Sequence, residues 1–338
     1  MKICRMSSPA ILSIVFSLGF VVPSSPAMAQ APKESIAIET YPVGHPANLA
    51  FDGTNIWATN AQDDYVTKLR ASDGTILDTF DVGRGPSGIT FDGTNIWVAN
   101  VLDDSLTKLR ASDGTRLADY AVCLEPTGMA WDGANIWVTS ALEGTVTKVR
   151  GSDGSVLGVF SSGADCEGVV FDGANIWVAN STSQNVTKLR ASDGTVLFYA
   201  SVGGQPSGIV FDGTKIWTAN GYSNSLTALR SSDGAILGTS RVGYNPRAIA
   251  FDGHRIWCTL GDALGNVANV SLKGTGERRI GVGSHPSGIL FDGNNIWVAN
   301  YGDNTVRKSP ARRSDLPRNR SSRPVMAKAT AHVQLCCS

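Results

Sequence analysis

Residues 91–100 read FDGTNIWVAN, residues 171–180 FDGANIWVAN and residues 291–300 FDGNNIWVAN. The phrase also starts at Phe51, Phe211 and Phe251 and, with Trp for Phe, at Trp131, always in steps of 40 residues. A fixed period of this length marks a repeat architecture, in which each unit is one supersecondary motif. Within a unit, Asp-Gly supplies a tight turn and Ile-Trp a β-branched and aromatic strand. VTKLRASDGT, clearest at 66–75 and 186–195, adds another strand and another Asp-Gly turn. One unit therefore reads as four short strands, at 86–91, 96–99, 105–110 and 116–122, with no helical period anywhere. Four antiparallel strands per 40 residues is a propeller blade, and seven copies predict an all-β, seven-bladed β-propeller.

The chain ends decide how such a ring closes. The seventh unit has no fourth strand after Ser309, whereas residues 36–44 (IAIETYPVG) precede the first unit and share the Val-Gly ending of the other fourth strands. The N-terminal strand is therefore expected to complete the last blade and remove the open edges of the ring.

The chain has 338 residues, of which 42% are hydrophobic, and 29 Lys+Arg against 29 Asp+Glu. That balance carries no basic footprint for nucleic acid. Residues 1–29 combine Lys2 and Arg5, an apolar run over 10–22 and the small-x-small stretch Ala27-Met28-Ala29. They read as a signal peptide, too short for a comfortable membrane span, which makes the protein exported, periplasmic or extracellular. The propeller is assigned to 30–309. Residues 310–338, rich in Arg, Ser and Pro, read as a basic disordered tail.

The Asp-Gly-x-x-Ile-Trp-Val-Ala-Asn phrase followed by Val-Gly-x-x-Pro resembles the YVTN-repeat propellers of bacteria, and is similar to the NHL-type and virginiamycin B lyase-like propellers. The resemblance spans about residues 34–309 and implies the fold. For activity it implies a range, since such propellers host lyases, lactonases and binding proteins. In the virginiamycin B lyase-like enzymes it implies a His and a Glu acting with magnesium, without assigning positions here.

A residue repeated in every unit serves the scaffold, so departures are where a site is sought. Trp57 and its equivalents are expected to pack between blades, and Asn60, Asn100, Asn180, Asn220 and Asn300 to cap loops. The position before the repeated Pro varies: His45, Gly85, Glu125, Asp165, Gln205, Asn245, His285. Two residues on, Glu167 and Arg247 interrupt a set of small residues. His45, Glu125, Asp165, Glu167, Arg247 and His285 are thus the candidate ligand-binding residues at the channel mouth, with neutral surface variation as the alternative. No catalytic residue and no metal site is assigned. No cofactor is called for by a motif, although a divalent metal on a His pair with carboxylates is one candidate. Cys123 and Cys166 lie in neighbouring loops, where a disulfide is one alternative and two unlinked substitutions the other. The functional expectation is an exported, monomeric binding propeller for a small molecule, glycan or protein. A metal-assisted lyase or lactonase on the same face and an envelope structural module are the alternatives.

Overall fold

The computed structural model describes residues 39–262 and 264–311. The expected signal segment and most of the tail lie outside them. The described residues form 28 strands in seven four-stranded antiparallel sheets, each with its strands in sequential order. Blade 2 is typical: Pro86–Phe91, Asn95–Asn100, Ser105–Arg110 and Arg116–Ala121. The first strands of successive blades contact one another all the way round and line the centre of the ring. Closure follows the expectation from the chain ends. The strand Glu39–Pro42 pairs antiparallel with Thr305–Pro310 in the same sheet as Asn295–Asn300 and Pro286–Phe291.

The repeated phrase is explained by one carboxylate. In the first unit, Asp52 Oδ1 accepts the backbone N–H of Thr54 (2.8 Å) and of Asn55 (2.6 Å), which fixes the turn. Its Oδ2 accepts the indole N–H of Trp57 at 2.8 Å. All seven units make this Asp–Trp bond. The indole can therefore be buried with its polar handle satisfied. Each Trp packs into the seam with the next blade, as Trp57 does against Ile96 and Val98.

A second device crosses six of the same seams, blade 6 having Asn269 at the lysine position. Lys108 is buried, its ammonium 4.7 Å from the centre of the Trp97 ring, and it donates to the carbonyl of Gly151 in the next blade at 2.7 Å. Lys68, Lys148, Lys188 and Lys308 donate likewise to Ala111, Ala191, Ser231 and Ser72. Blade 5 has Ala228 at the lysine position, and Lys215 from the neighbouring strand takes over, lying over Trp217 and donating to Leu272 at 3.1 Å. Tyr41, on the closing strand, stacks on Trp297 with ring centres 5.8 Å apart and covers Gly74 of blade 1, where a Cβ would collide with its ring.

The cysteines correct one alternative. Cys123 and Cys166 are both free and buried, in the blade 2–3 and blade 3–4 seams respectively. Cys166 is turned inward, its Sγ 2.9 Å from the Gly163 carbonyl, and the disulfide is not formed.

Candidate functional site

Two sets of loops share one end of the ring: the connections between blades, such as 82–85, and the loops after each second strand, such as 101–104. Side chains of the second set hold the first. Asp103 accepts the N–H of Arg84 at 2.7 Å, Asp303 that of Ser284 at 2.6 Å and Ser223 that of Gly204 at 2.6 Å. Asp64 and Asp104 likewise accept from Gly85 and Glu125, both at 2.9 Å. These loop carboxylates are caps, which accounts for much of the acidity of this face. The Asn residues ending the second strands cap as well: Asn100 Nδ2 donates to Thr107 Oγ1 at 2.9 Å.

The position before the Pro has a backbone reason that sequence reasoning missed. Glu125 (φ +45°), Asp165 (+61°), Gln205 (+56°), Asn245 (+49°), His285 (+50°) and Gly85 (+64°) are all left-handed. Gly, Asn, Asp and His are the residues enriched there, and that composition was the available signal. His45 is the exception, because its connection is one residue shorter. Its N–H takes the bond to Asp63 that Arg84 makes to Asp103, and its carbonyl takes the bond from Ala61 that Gly85 makes with Val101.

The six expected residues all lie at this end, in three groups. Glu125 and Asp165 line one open depression of ≈ 570 Å³ between blades 3 and 4, together with Glu143. The two histidines flank Tyr301. His45 packs its ring against that of Tyr301 (centres 5.8 Å apart) with Nδ1 3.0 Å from Asp63, while the carbonyl of His285 accepts from the N–H of Tyr301.

The third group is Glu167 and Arg247. In three other blades the second residue of the innermost strand is a small hydroxyl that ties the seam: Thr127 to the Cys166 carbonyl at 3.1 Å, Ser207 to that of Arg247 at 3.3 Å and Ser287 to that of Pro46 at 2.9 Å. Glu167 and Arg247 place long charged side chains there instead. Burial pushes the Glu167 carboxyl up to about 7, and the negative charge of Asp165 adds to this. A hydrogen bond from Ser181 and the positive charge of Arg247, two blades away, pull it partly back. Glu167 is therefore poised to gain or lose a proton near neutrality. Close inter-blade packing fixes its backbone, since a Cβ on Gly128 would collide with the Glu167 carbonyl. Among the described residues no three His, Cys, Asp or Glu side chains are grouped to hold a metal ion. No described helix is long and apolar enough to cross a membrane.

No protein-family model and no curated protein matches the chain. Solved structures do. A streptogramin B lyase aligns at 18% identity and a TM-score of 0.70, covering 81% of this chain and 97% of its own. The virginiamycin B lyase of Staphylococcus aureus aligns at 16% and 0.70, covering 82% and 99%. A Kuenenia stuttgartiensis hydrazine synthase chain aligns at 17% and 0.69, covering 78% and 95%. The chain thus shares the seven-bladed propeller fold of the virginiamycin B lyase-like proteins.

Proposed function

We propose that this is an exported, monomeric binding propeller that takes its ligand at the loop-bearing mouth of the central channel, with Glu167 and Arg247 as the charged contacts. The observation that carries this reading is the Glu167 carboxyl, held near neutrality by burial while sensing Arg247 from two blades away. A protonated Glu167 donates a hydrogen bond, and Arg247 offers a planar fork to a carboxylate or phosphate. The Lys2/Arg5, apolar and Ala-x-Ala segments support export. The test is calorimetry of the full chain with succinate, glutamate and glycerol phosphate at pH 6 and pH 8. Binding of at least one, lost in Arg247→Ala and weakened in Glu167→Gln, is expected. Equal heats from wild type and both variants overturn the reading.

A lyase or lactonase at the same mouth is the second reading, favoured by the same carboxyl, because a group titrating near 7 suits general acid–base work. Its test is incubation with a streptogramin B and mass analysis of the products. An opened ring, absent with Glu167→Gln, would establish it, and intact substrate would remove it for that substrate.

A further inference from the structure

Next to Arg247, the mouth carries a sector of different chemistry. The loop 221–224 of blade 5 lies between two connections, 203–205 and 242–245. It is tied to both: Gly221 N–H donates to the Gln205 carbonyl at 2.8 Å, and Asn224 Oδ1 accepts from Asn245 N–H at 2.8 Å. Two aromatic rings stand out of this unit into solvent, Tyr222 at 78% exposure and Tyr244 at 64%. Exposed rings of that size on a rigid support mark contact surfaces. The glycines at 221 and 261 replace larger residues of other blades, such as Val101 and Tyr301, and make room for Asn245, whose side-chain amide lies against both.

The other polar side chains of these loops are uncharged: the amides of Gln205, Asn224 and Asn245 and the hydroxyl of Ser223. None of the loops 203–205, 221–224 and 242–245 contains a charged residue, whereas the corresponding loops of blades 1 to 3 carry Asp63, Asp103 and Glu143. Gln205 and Asn245 enter the mouth from left-handed backbone, beside the equally left-handed Gln184. An amide offers two donors and an acceptor at once, so vicinal hydroxyls, which both donate and accept, complement it. The flat face of a tyrosine suits the C–H face of a pyranose ring. A nucleic acid strand would bring a phosphate per residue and demand cations that these loops lack.

We propose that Tyr222 and Tyr244, with the amides of Gln205 and Asn245, form a binding surface for a neutral oligosaccharide. The surface adjoins Arg247, which follows Asn245 by two residues, and lies in different blades from Glu167. Saturation-transfer NMR and calorimetry of the full chain with cellohexaose, maltohexaose and chitohexaose test it. Binding of at least one hexasaccharide is expected. Tyr222→Ala and Tyr244→Ala should each weaken it about tenfold, the scale of a single contact residue worth about 1.4 kcal/mol. The double variant should bind none. Tyr222→Phe should retain most of the affinity, because stacking needs the ring rather than the hydroxyl. Tyr199→Ala, which removes an exposed tyrosine from the outer strand of blade 4, should leave binding unchanged. Silence of all three sugars overturns the proposal, as does undiminished binding by the double alanine variant or an equal loss in Tyr199→Ala.

Discussion

Glu167→Gln isolates the proton that the fold places at the channel mouth. The carboxyl moves from an ordinary 4.5 to about 7 on folding, first because burial disfavours its charge and then because Asp165 is near. The sign follows from proton counting. Between pH 4.5 and pH 7 the folded protein holds a proton that the unfolded chain has released, so stability falls as pH rises through this window. A tenfold change in proton affinity corresponds to about 1.4 kcal/mol, which sets a ceiling of about 3 kcal/mol. Water in an open mouth screens part of it, which leaves about 1–3 kcal/mol. Glutamine does not titrate and can keep the contact with Ser181. The variant should therefore match wild type at about pH 4 and exceed it by about 1–3 kcal/mol at about pH 8, read from urea unfolding at several pH values. Carbon NMR of the Glu167 carboxyl should show a midpoint of about 7, and Arg247→Ala should move it upward, since that cation lowers it. Parallel stability curves for the two proteins, or a downward move on removing Arg247, would refute the reasoning.

Three further outcomes follow from the seams. Lys108→Met should cost about 1–3 kcal/mol in urea unfolding, because a charge-assisted hydrogen bond to Gly151 and a cation–π contact go together; an unchanged midpoint would make the lysine a bystander. Tyr41→Ala removes a ring stacked on Trp297 at the ring closure and should cost about 2–4 kcal/mol, and a loss below half a kilocalorie would show that closure does not depend on it. The Cys123 thiol is pushed up to about 11 and that of Cys258 to about 12, in both cases chiefly by burial. At pH 8 only about one molecule in a thousand carries the Cys123 thiolate, so peptide-resolved labelling with a thiol reagent should be slow until the protein is denatured. Rapid native labelling of either would contradict this.

The blade was legible in the sequence because its signals are local and repeated. Asp-Gly turns, β-branched strands and a 40-residue period need no tertiary knowledge, and the ring closure came from a matching strand at the other end of the chain. What stayed hidden depends on geometry between units. The sequence marks VTKLR as a strand without assigning its lysine a place; only the folded ring shows it buried over its own Trp and bonded to the next blade. The variable residue before the Pro read as site chemistry because its identities are polar. Four of the seven, Gly85, Asp165, Asn245 and His285, are types that favour a left-handed backbone, and the torsions show that this constraint operates there and extends to Glu125 and Gln205. Cys123 and Cys166 lie close in the pattern, yet each is spent filling its own seam.

The pair Ala228 and Lys215 sharpens what a departure from the repeat means. Blade 5 has lost the seam lysine, and taken alone that loss would look like relaxation or a site. Lys215, on the adjacent strand, restores both the contact over Trp217 and the bond to the next blade, so the departure is a rearranged scaffold. The same test separates the residues at the mouth. His45 is absorbed by a shortened connection, in which it makes the bonds of two residues. Asp63 and Asp103 are absorbed as caps. Glu167 and Arg247 stand where Thr127, Ser207 and Ser287 carry hydroxyls that tie the seam, and Tyr222 and Tyr244 extend into water. The Tyr222 backbone still makes the bond to Gly204 that Leu102 makes to Arg84, so in these four the departure lies in the side chain alone. A departure whose structural consequence is compensated reports on folding, and one left uncompensated on rigid backbone is where a ligand should be sought.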